Sequence, residues 1–186
     1  MSPSRSFVYP PGAEPLWRPM LCDSDYRVPA HWRSWLSDTG SLTERLQVAS
    51  DQQLRVTIIQ QQLAVPKLSE RQVLGLPARR RALIREVILW GRGQPWVYAR
   101  SILPLTTLTG RLKPLRRLDN RPLGALLFND PSMRREPVQV ARFKVQAGCL
   151  PGLARGTGRP LWGRRSVFRL DSKPLLVSEI FLEGFK

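Results

Sequence analysis

Three charged residues of this sequence sit where charge is out of place, and chemistry would begin with them. Arg85 and Glu86 lie side by side in the run Ala82-Leu83-Ile84-Arg85-Glu86-Val87-Ile88-Leu89-Trp90, and Glu179 lies in Leu175-Leu176-Val177-Ser178-Glu179-Ile180-Phe181-Leu182. Read as a strand, the first run puts Leu83, Arg85, Val87 and Leu89 on one face and Ile84, Glu86, Ile88 and Trp90 on the other. Each of two apolar faces then carries one charge. In the second run Leu175, Val177, Glu179 and Phe181 share a face. An ion among apolar side chains is costly unless it is paired or holds a ligand. These residues are therefore either ordinary structural ion pairs or the anchors of a pocket. In a pocket, an arginine would grip a carboxylate through its two-pronged fork, and a glutamate would receive a hydroxyl at the far end. Periodicity leaves open whether Arg85 or Glu86 points at the ligand.

Other chemistries find little support. The single histidine, His31, has no serine or cysteine motif beside it and reads as a structural or surface residue. Cys22 and Cys149, 127 positions apart, read as free thiols; they exclude a zinc finger or a disulfide scaffold and fit a reducing, cytoplasmic setting. No metal site is expected from so few ligands. Gly91-Arg92-Gly93 is a turn and not a phosphate loop. A chain of 186 residues suggests one domain able to bury its own core, and 42% hydrophobic with 24% charged residues is the composition of a folded protein. No apolar run reaches the ~18–20 residues of a membrane helix. Met1 to Gly12 lacks the apolar stretch of a secretory signal.

The formal net charge is +16, and 25 of the 30 basic residues are arginine. Residues 101–170 hold 14 basic and 3 acidic residues, hence +11 of that excess. Such a surplus suits nucleic acid, an anionic membrane surface or a small polyanionic ligand. Nucleic acid is the weakest of these, because no helix-turn-helix, zinc spacing or aromatic RNA-binding motif accompanies the charge. Arg79-Arg80-Arg81 reads as a solvated patch that could touch anionic lipid transiently. Arg164 and Arg165 either steer an anionic substrate or line the start of a strand.

The elements that must position these residues are legible in outline. Residues 1–20, with Pro3, Pro10, Pro11, Pro15 and Pro19 and with Gly12, read as a loose arm. Order is expected to begin near His31–Leu36. Ser41-Leu42-Thr43-Glu44 has capping-box spacing and starts a short helix through about Ala49. Leu54–Ile59 alternates and reads as a strand. Residues 82–90 and 95–103, joined by Gly91-Arg92-Gly93-Gln94, form a hairpin, and 165–170 with 175–182 form a second across Asp171-Ser172-Lys173-Pro174. Pro122–Phe128 reads as a short helix with proline in its first turn. Residues 129–161, rich in glycine, proline and arginine, read as a basic excursion of partial order. The whole is an α+β domain over 21–186 built on an antiparallel sheet.

The stretch Leu161–Leu182 contains a Trp162-Gly163-Arg164-Arg165-Ser166 box, an arginine-bearing strand, a Lys173-Pro174-Leu175-Leu176 turn, and a strand ending in Glu179 before Ile180-Phe181-Leu182. With Ile84–Leu89, Pro95-Trp96 and Arg121-Pro122-Leu123-Gly124 in the same order, it resembles the chorismate pyruvate-lyase family, which makes 4-hydroxybenzoate for ubiquinone. The likeness spans residues 30–130 and 161–182. It implies a six-stranded antiparallel sheet with helices on one side and two helical flaps over a buried ligand site. It implies Arg85 and Glu179 as the catalytic pair, Arg85 on the ring carboxylate and Glu179 on the 4-hydroxyl, with the backbone amides of Leu42 and Leu123 completing the carboxylate grip. The resemblance thus selects Arg85 over Glu86. Leu42 stands where the family has methionine, and both the 129–161 stretch and the proline-rich arm are longer than the family's own.

The implied reaction needs neither metal nor organic cofactor, because aromatising the cyclohexadiene ring drives the loss of pyruvate. Two routes are open: Glu179 removes the C4 hydrogen, or that hydrogen passes directly to the enolpyruvyl methylene in a cyclic transition state. The second is favoured, since a glutamate committed to the 4-hydroxyl is not obviously placed for the C4 hydrogen. A closed pocket complementary to an aromatic hydroxyacid should release product slowly. The reading is therefore a monomeric lyase acting on chorismate. The alternatives are a non-catalytic aromatic-acid sensor of the same fold, or a basic surface-binding protein.

Overall fold

The computed structural model describes residues 14–20, 28–143 and 160–185. Cys22 and Cys149, most of the proline-rich arm and most of the glycine-rich part of the 129–161 stretch lie outside the described residues. Within them the chain forms β1 (Arg18–Pro19), α1 (Ala30–Ser37), α2 (Leu42–Ala49), β2 (Arg55–Ala64), α3 (Leu68–Leu74), β3 (Ala82–Gly91), β4 (Gln94–Pro104), a 3-10 helix (Gly110–Arg117), α4 (Leu123–Phe128), β5 (Arg134–Arg135), β6 (Gln139–Phe143), β7 (Leu161–Leu170) and β8 (Lys173–Phe181). All eight strands join one antiparallel sheet in the order β1-β6-β7-β8-β4-β3-β2, with β5 pairing the end of β7. None of the described helices is long and apolar enough to cross a membrane.

Both expected hairpins form, with tighter turns than the glycine and proline punctuation suggested. Gly91 pairs with Gln94, leaving Arg92 and Gly93 at the corner with φ of 49° and 75°. Positive φ at both central residues gives the turn whose twist matches the strands it joins. Asp171 and Ser172 repeat this between β7 and β8 with φ of 49° and 65°, which costs more without a glycine. The corner is held from outside: Ser132 Oγ accepts from the Asp171 amide at 3.0 Å, and Arg111 Nε meets the Asp171 carboxylate at 2.6 Å.

Three expectations need correction. The sheet has eight strands and not six, because two-residue strands β1 and β5 add to the six longer ones. Pro19 belongs to β1, paired with Gln139, which is tolerated because β1 is the sheet edge and no neighbour needs the missing N–H. Within the 129–161 stretch, β5 and β6 are regular strands, and Val138 and Val140 are buried against the core. The two-residue period of β6 is hidden among the surrounding prolines and arginines, and β5 is too short to show one.

The helices also do not share one side. On one face, Leu36, Leu42 and Leu46 of α1 and α2 pack on Val87, Leu89, Val97, Ala99 and Phe181, while Leu123 and Leu127 of α4 pack with Leu83, Phe168 and Leu175. Helix α3, which no sequence signal announced, lies on the opposite face, where Leu74 meets Ala82, Ile84, Ile102 and Leu176. It also brings Glu70 to a buried network. Arg100 meets Glu70 at 2.7 and 3.1 Å and donates to Glu86, and Gln60 donates to Glu86 at 2.7 Å. Glu86, fully buried, is thus a structural ion-pair partner of Arg100, and Arg100 bonds α3 to the centre of the sheet through Glu70.

Candidate active site

The face of the sheet under α2 and α4 carries a cavity whose floor is β3, β4, β7 and β8 and whose roof is the start of the two helices. Gly40, Leu42 and Thr43 enter from one side and Pro122, Leu123, Gly124, Leu127 and Phe128 from the other. Ser41 caps α2 by accepting from the Glu44 amide at 3.3 Å, and Pro122 occupies the N-cap of α4, one residue earlier than a first-turn proline. The Leu42 and Leu123 amides are therefore first-turn N–H groups, which have no acceptor within their own helices. The two helix starts meet where a Cβ added to Gly124 would stand 2.8 Å from Thr43 Oγ1. Only glycine allows that approach.

Arg85 rises from β3 into this cavity and is 2% exposed. Its Nη2 donates to the carbonyls of Asp119 (2.8 Å) and Arg121 (3.1 Å), which lead into α4 and hold one edge of the guanidinium. Its buried Nε has no acceptor. Among the described residues no carboxylate pairs with it, and burial pushes its pKa below the ordinary arginine value. A buried cation with a free donor edge facing a cavity is built for an anion.

At the other side of the floor stands Glu179, on β8. Arg164, its cross-strand neighbour on β7 and 1% exposed, donates from Nε to Glu179 Oε2 at 2.7 Å and from Nη1 to the carbonyls of Trp35 (2.8 Å) and Asp38 (2.7 Å). Arg164 thereby ties Glu179 to the segment that enters α2. Arg135, on β5, leans over the Phe168 ring at 5.1 Å and donates from Nε to Ser166 Oγ at 3.0 Å. Its Nη1 donates to the carbonyls of Asp38 and Gly40 at a long 3.3 Å each. Burial, and then the charge of Arg164, push its pKa down to about 10, which leaves it cationic at neutral pH.

Register sets the length of the site. Arg85 pairs with Ser101, Ser101 with Val177, and Glu179 lies two residues further along β8. Two strand spacings across and two residues along separate their Cα atoms by roughly 12 Å. With both side chains reaching inward, a single six-membered ring with substituents at its two ends can span them. Val56, Val87, Leu89, Leu127, Phe168 and Val177 supply apolar walls for such a ring.

A sequence profile of the family described as chorismate lyase matches residues 16–185. The chain belongs to the chorismate lyase family. It is 37% identical over 176 residues to a probable chorismate pyruvate-lyase of Photobacterium profundum, covering 90% of both chains. It is 43% identical over 150 residues to one from Pseudomonas putida (81% of this chain, 80% of that one) and 42% over 164 residues to one from Aromatoleum aromaticum (84% and 86%). Among solved structures the fold is similar to the effector domain of PhnF from Mycobacterium smegmatis, with a TM-score of 0.59 at 16% identity over 78% of this chain and 90% of that one. A similar match joins it to the ligand-binding domain of a putative GntR-family regulator from Bordetella bronchiseptica, with a TM-score of 0.55 at 18% identity over 71% and 84%. Those structures share the fold. The family membership makes this chain a lyase, a chorismate pyruvate-lyase in activity.

Arg85, Glu179, Leu42 and Leu123, the residues singled out in the sequence, all line the one cavity, and Glu86 does not. Arg164, which by sequence suits either substrate steering or the start of a strand, is the anchor of Glu179. Arg165 points away, to Gln139 Oε1 at 2.7 Å, Ser69 Oγ at 3.1 Å and the Trp17 ring at 4.6 Å. His31, on α1, sits 5.4 Å from the Trp32 ring and not in the cavity. Arg135 was missed. It belongs to the stretch read as an irregular excursion, and only its pairing with Phe168 brings it to the site.

Proposed function

We propose that this cavity binds chorismate with its ring carboxylate on Arg85 and the Leu42 and Leu123 amides, and its 4-hydroxyl on Glu179, and converts it to 4-hydroxybenzoate and pyruvate. The observation that carries this reading is the pairing of opposites across one apolar slot: a buried arginine with an unused donor edge, and a glutamate already held in place by Arg164. The product is the aromatic acid from which the ubiquinone ring is made. The setting is cytoplasmic, which suits a chain with two cysteines 127 positions apart, and the working form is a monomer.

The geometry supports direct hydrogen transfer. Glu179 Oε2 is taken by Arg164; a hydroxyl on Oε1 then leaves neither oxygen aimed at C4. In the direct route the enolpyruvyl double bond takes the C4 hydrogen to become the pyruvate methyl, the C3–O pair leaves with oxygen as the pyruvate carbonyl, and the C4–H pair closes the aromatic ring. Electrons balance without an external base. The protein's part is to hold the enolpyruvyl arm over C4 and keep water out.

The test is purified protein with chorismate, following 4-hydroxybenzoate and pyruvate by chromatography. Equimolar products, lost in Glu179→Gln, are expected. Tight 4-hydroxybenzoate binding without turnover would instead make the chain a sensor on this fold. Turnover in deuterium oxide separates the routes: deuterium in the pyruvate methyl beyond non-enzymatic exchange argues against direct transfer.

A further inference from the structure

Among the described residues, three cations and one anion line the cavity: Arg85, Arg135 and Arg164 against Glu179. The formal surplus of two positive charges equals the charge of a dianion, yet Arg85 accounts for one carboxylate only, and Arg164 is committed to Glu179 and two carbonyls. Arg135 remains. It has no carboxylate within ion-pair distance among the described residues. Its Nη1 bonds are long, and its Nη2 donates to no acceptor there. Ser166 and the Phe168 ring fix its position from below.

Its place in the register gives direction to that free edge. Ser166 lies two residues from Arg164 on β7 and pairs with Val177, itself two residues from Glu179. Across the sheet the strand order β5-β7-β8-β4-β3 puts Arg135 nearer Glu179 on β8 than Arg85 on β3, and the charges of Arg164 and Glu179 both act on it. In chorismate the enolpyruvyl ether at C3 is the neighbour of the hydroxyl at C4. A ligand with its hydroxyl on Glu179 therefore extends its second carboxylate toward this side.

We infer that Arg135 binds the enolpyruvyl carboxylate of the substrate, an assignment that rests on the chorismate reading above. Arg135 then distinguishes substrate from product. Pyruvate carries the second carboxylate away, so 4-hydroxybenzoate meets Arg85 and Glu179 but has nothing for Arg135 to hold. Fixing that carboxylate also fixes the arm whose methylene must lie over C4, so the same residue orients the reacting group.

The experiment compares wild type, Arg135→Met and Arg135→Lys for chorismate turnover and for 4-hydroxybenzoate binding by calorimetry. Arg135→Met is expected to lower kcat/KM for chorismate about 10- to 100-fold, the loss of one charge-assisted hydrogen bond. Its affinity for 4-hydroxybenzoate should stay within about threefold of wild type, a readout that a merely structural role would move. Arg135→Lys should recover part of the loss. Equal losses for both ligands, or unchanged chorismate kinetics, overturn the assignment while leaving the lyase intact. A wild type that binds and turns over neither ligand overturns the proposed function and this inference with it.

Discussion

Replacing Arg85 by methionine separates what this residue does for the fold from what it does for a ligand. In the free protein its guanidinium is buried, and among the described residues it has no carboxylate partner and makes two hydrogen bonds, to the Asp119 and Arg121 carbonyls. Losing them costs about 1.5–3 kcal/mol each, and relief of the penalty for burying an unpaired cation, several kcal/mol, offsets most of that. The melting temperature of the free variant should therefore stay within a few degrees of wild type. Ligand binding is another matter. Two charge-assisted bonds to a carboxylate contribute about 1.5–3 kcal/mol each, so their loss raises the Kd for 4-hydroxybenzoate at least about 100-fold. At a ligand concentration 100 times the wild-type Kd, binding stabilises wild type by about 2.7 kcal/mol and the variant by no more than about 0.4. For a chain of this size that is a ligand-induced rise in Tm of roughly 5–10 °C falling to about 1–2 °C. Differential scanning fluorimetry with and without 4-hydroxybenzoate reads both quantities. A variant that keeps the full ligand-induced shift refutes the carboxylate assignment.

Three further outcomes follow from the geometry. Gly124→Ala should push α4 away from α2 and lower kcat/KM at least tenfold; adding Thr43→Ala removes the 2.8 Å contact, leaves the next at 3.7 Å and should restore most of it in steady-state assays. Glu70→Ala strips Arg100 of its main partner on the far face, and about 3–5 kcal/mol of stability should go with it. Chemical denaturation measures that loss, while the Kd for 4-hydroxybenzoate of the folded variant should hold. Lys67 is held down to about 8 by burial, below its ordinary 10.5. Between those values the unfolded chain binds the extra proton, so this group makes stability rise with pH from about 8 to 10.5. Lys67→Met should flatten that slope in denaturation series; an unchanged slope would refute the assignment.

Much of the site was legible because charge in an apolar strand is expensive. Arg85, Glu86 and Glu179 broke the alternation of β3 and β8, and that break is readable without coordinates. Resemblance then chose between Arg85 and Glu86, and supplied Leu42 and Leu123, whose side chains give no hint because their amides are the relevant groups. Arg135 could not be found this way. Its strand is two residues long, too short to show a period, and its neighbours include Pro131 and Pro137. Helix α3 escaped for a related reason: its seven residues carry a helical pattern too brief to separate from a loop.

Sequence alone carries the local pieces: two hairpins through their alternation and turn residues, the capped start of α2, the proline-led start of α4, and three charged strand residues that had to be paired or functional. These depend on interactions between residues close along the chain. Only the tertiary structure decided which charge belonged to which use. Glu86 and Arg85 are adjacent, and a strand sends adjacent side chains to opposite faces; what waits on each face is set by segments far away. Helix α3 brings Glu70 to the Arg100–Glu86 side, while the carbonyls of Asp119 and Arg121 and the starts of α2 and α4 close over Arg85. The same holds for Arg164 and Arg135, whose roles follow from cross-strand register with Glu179 and Phe168. Burial and pairing are properties of the assembled sheet, so they appear only once the strands are in register.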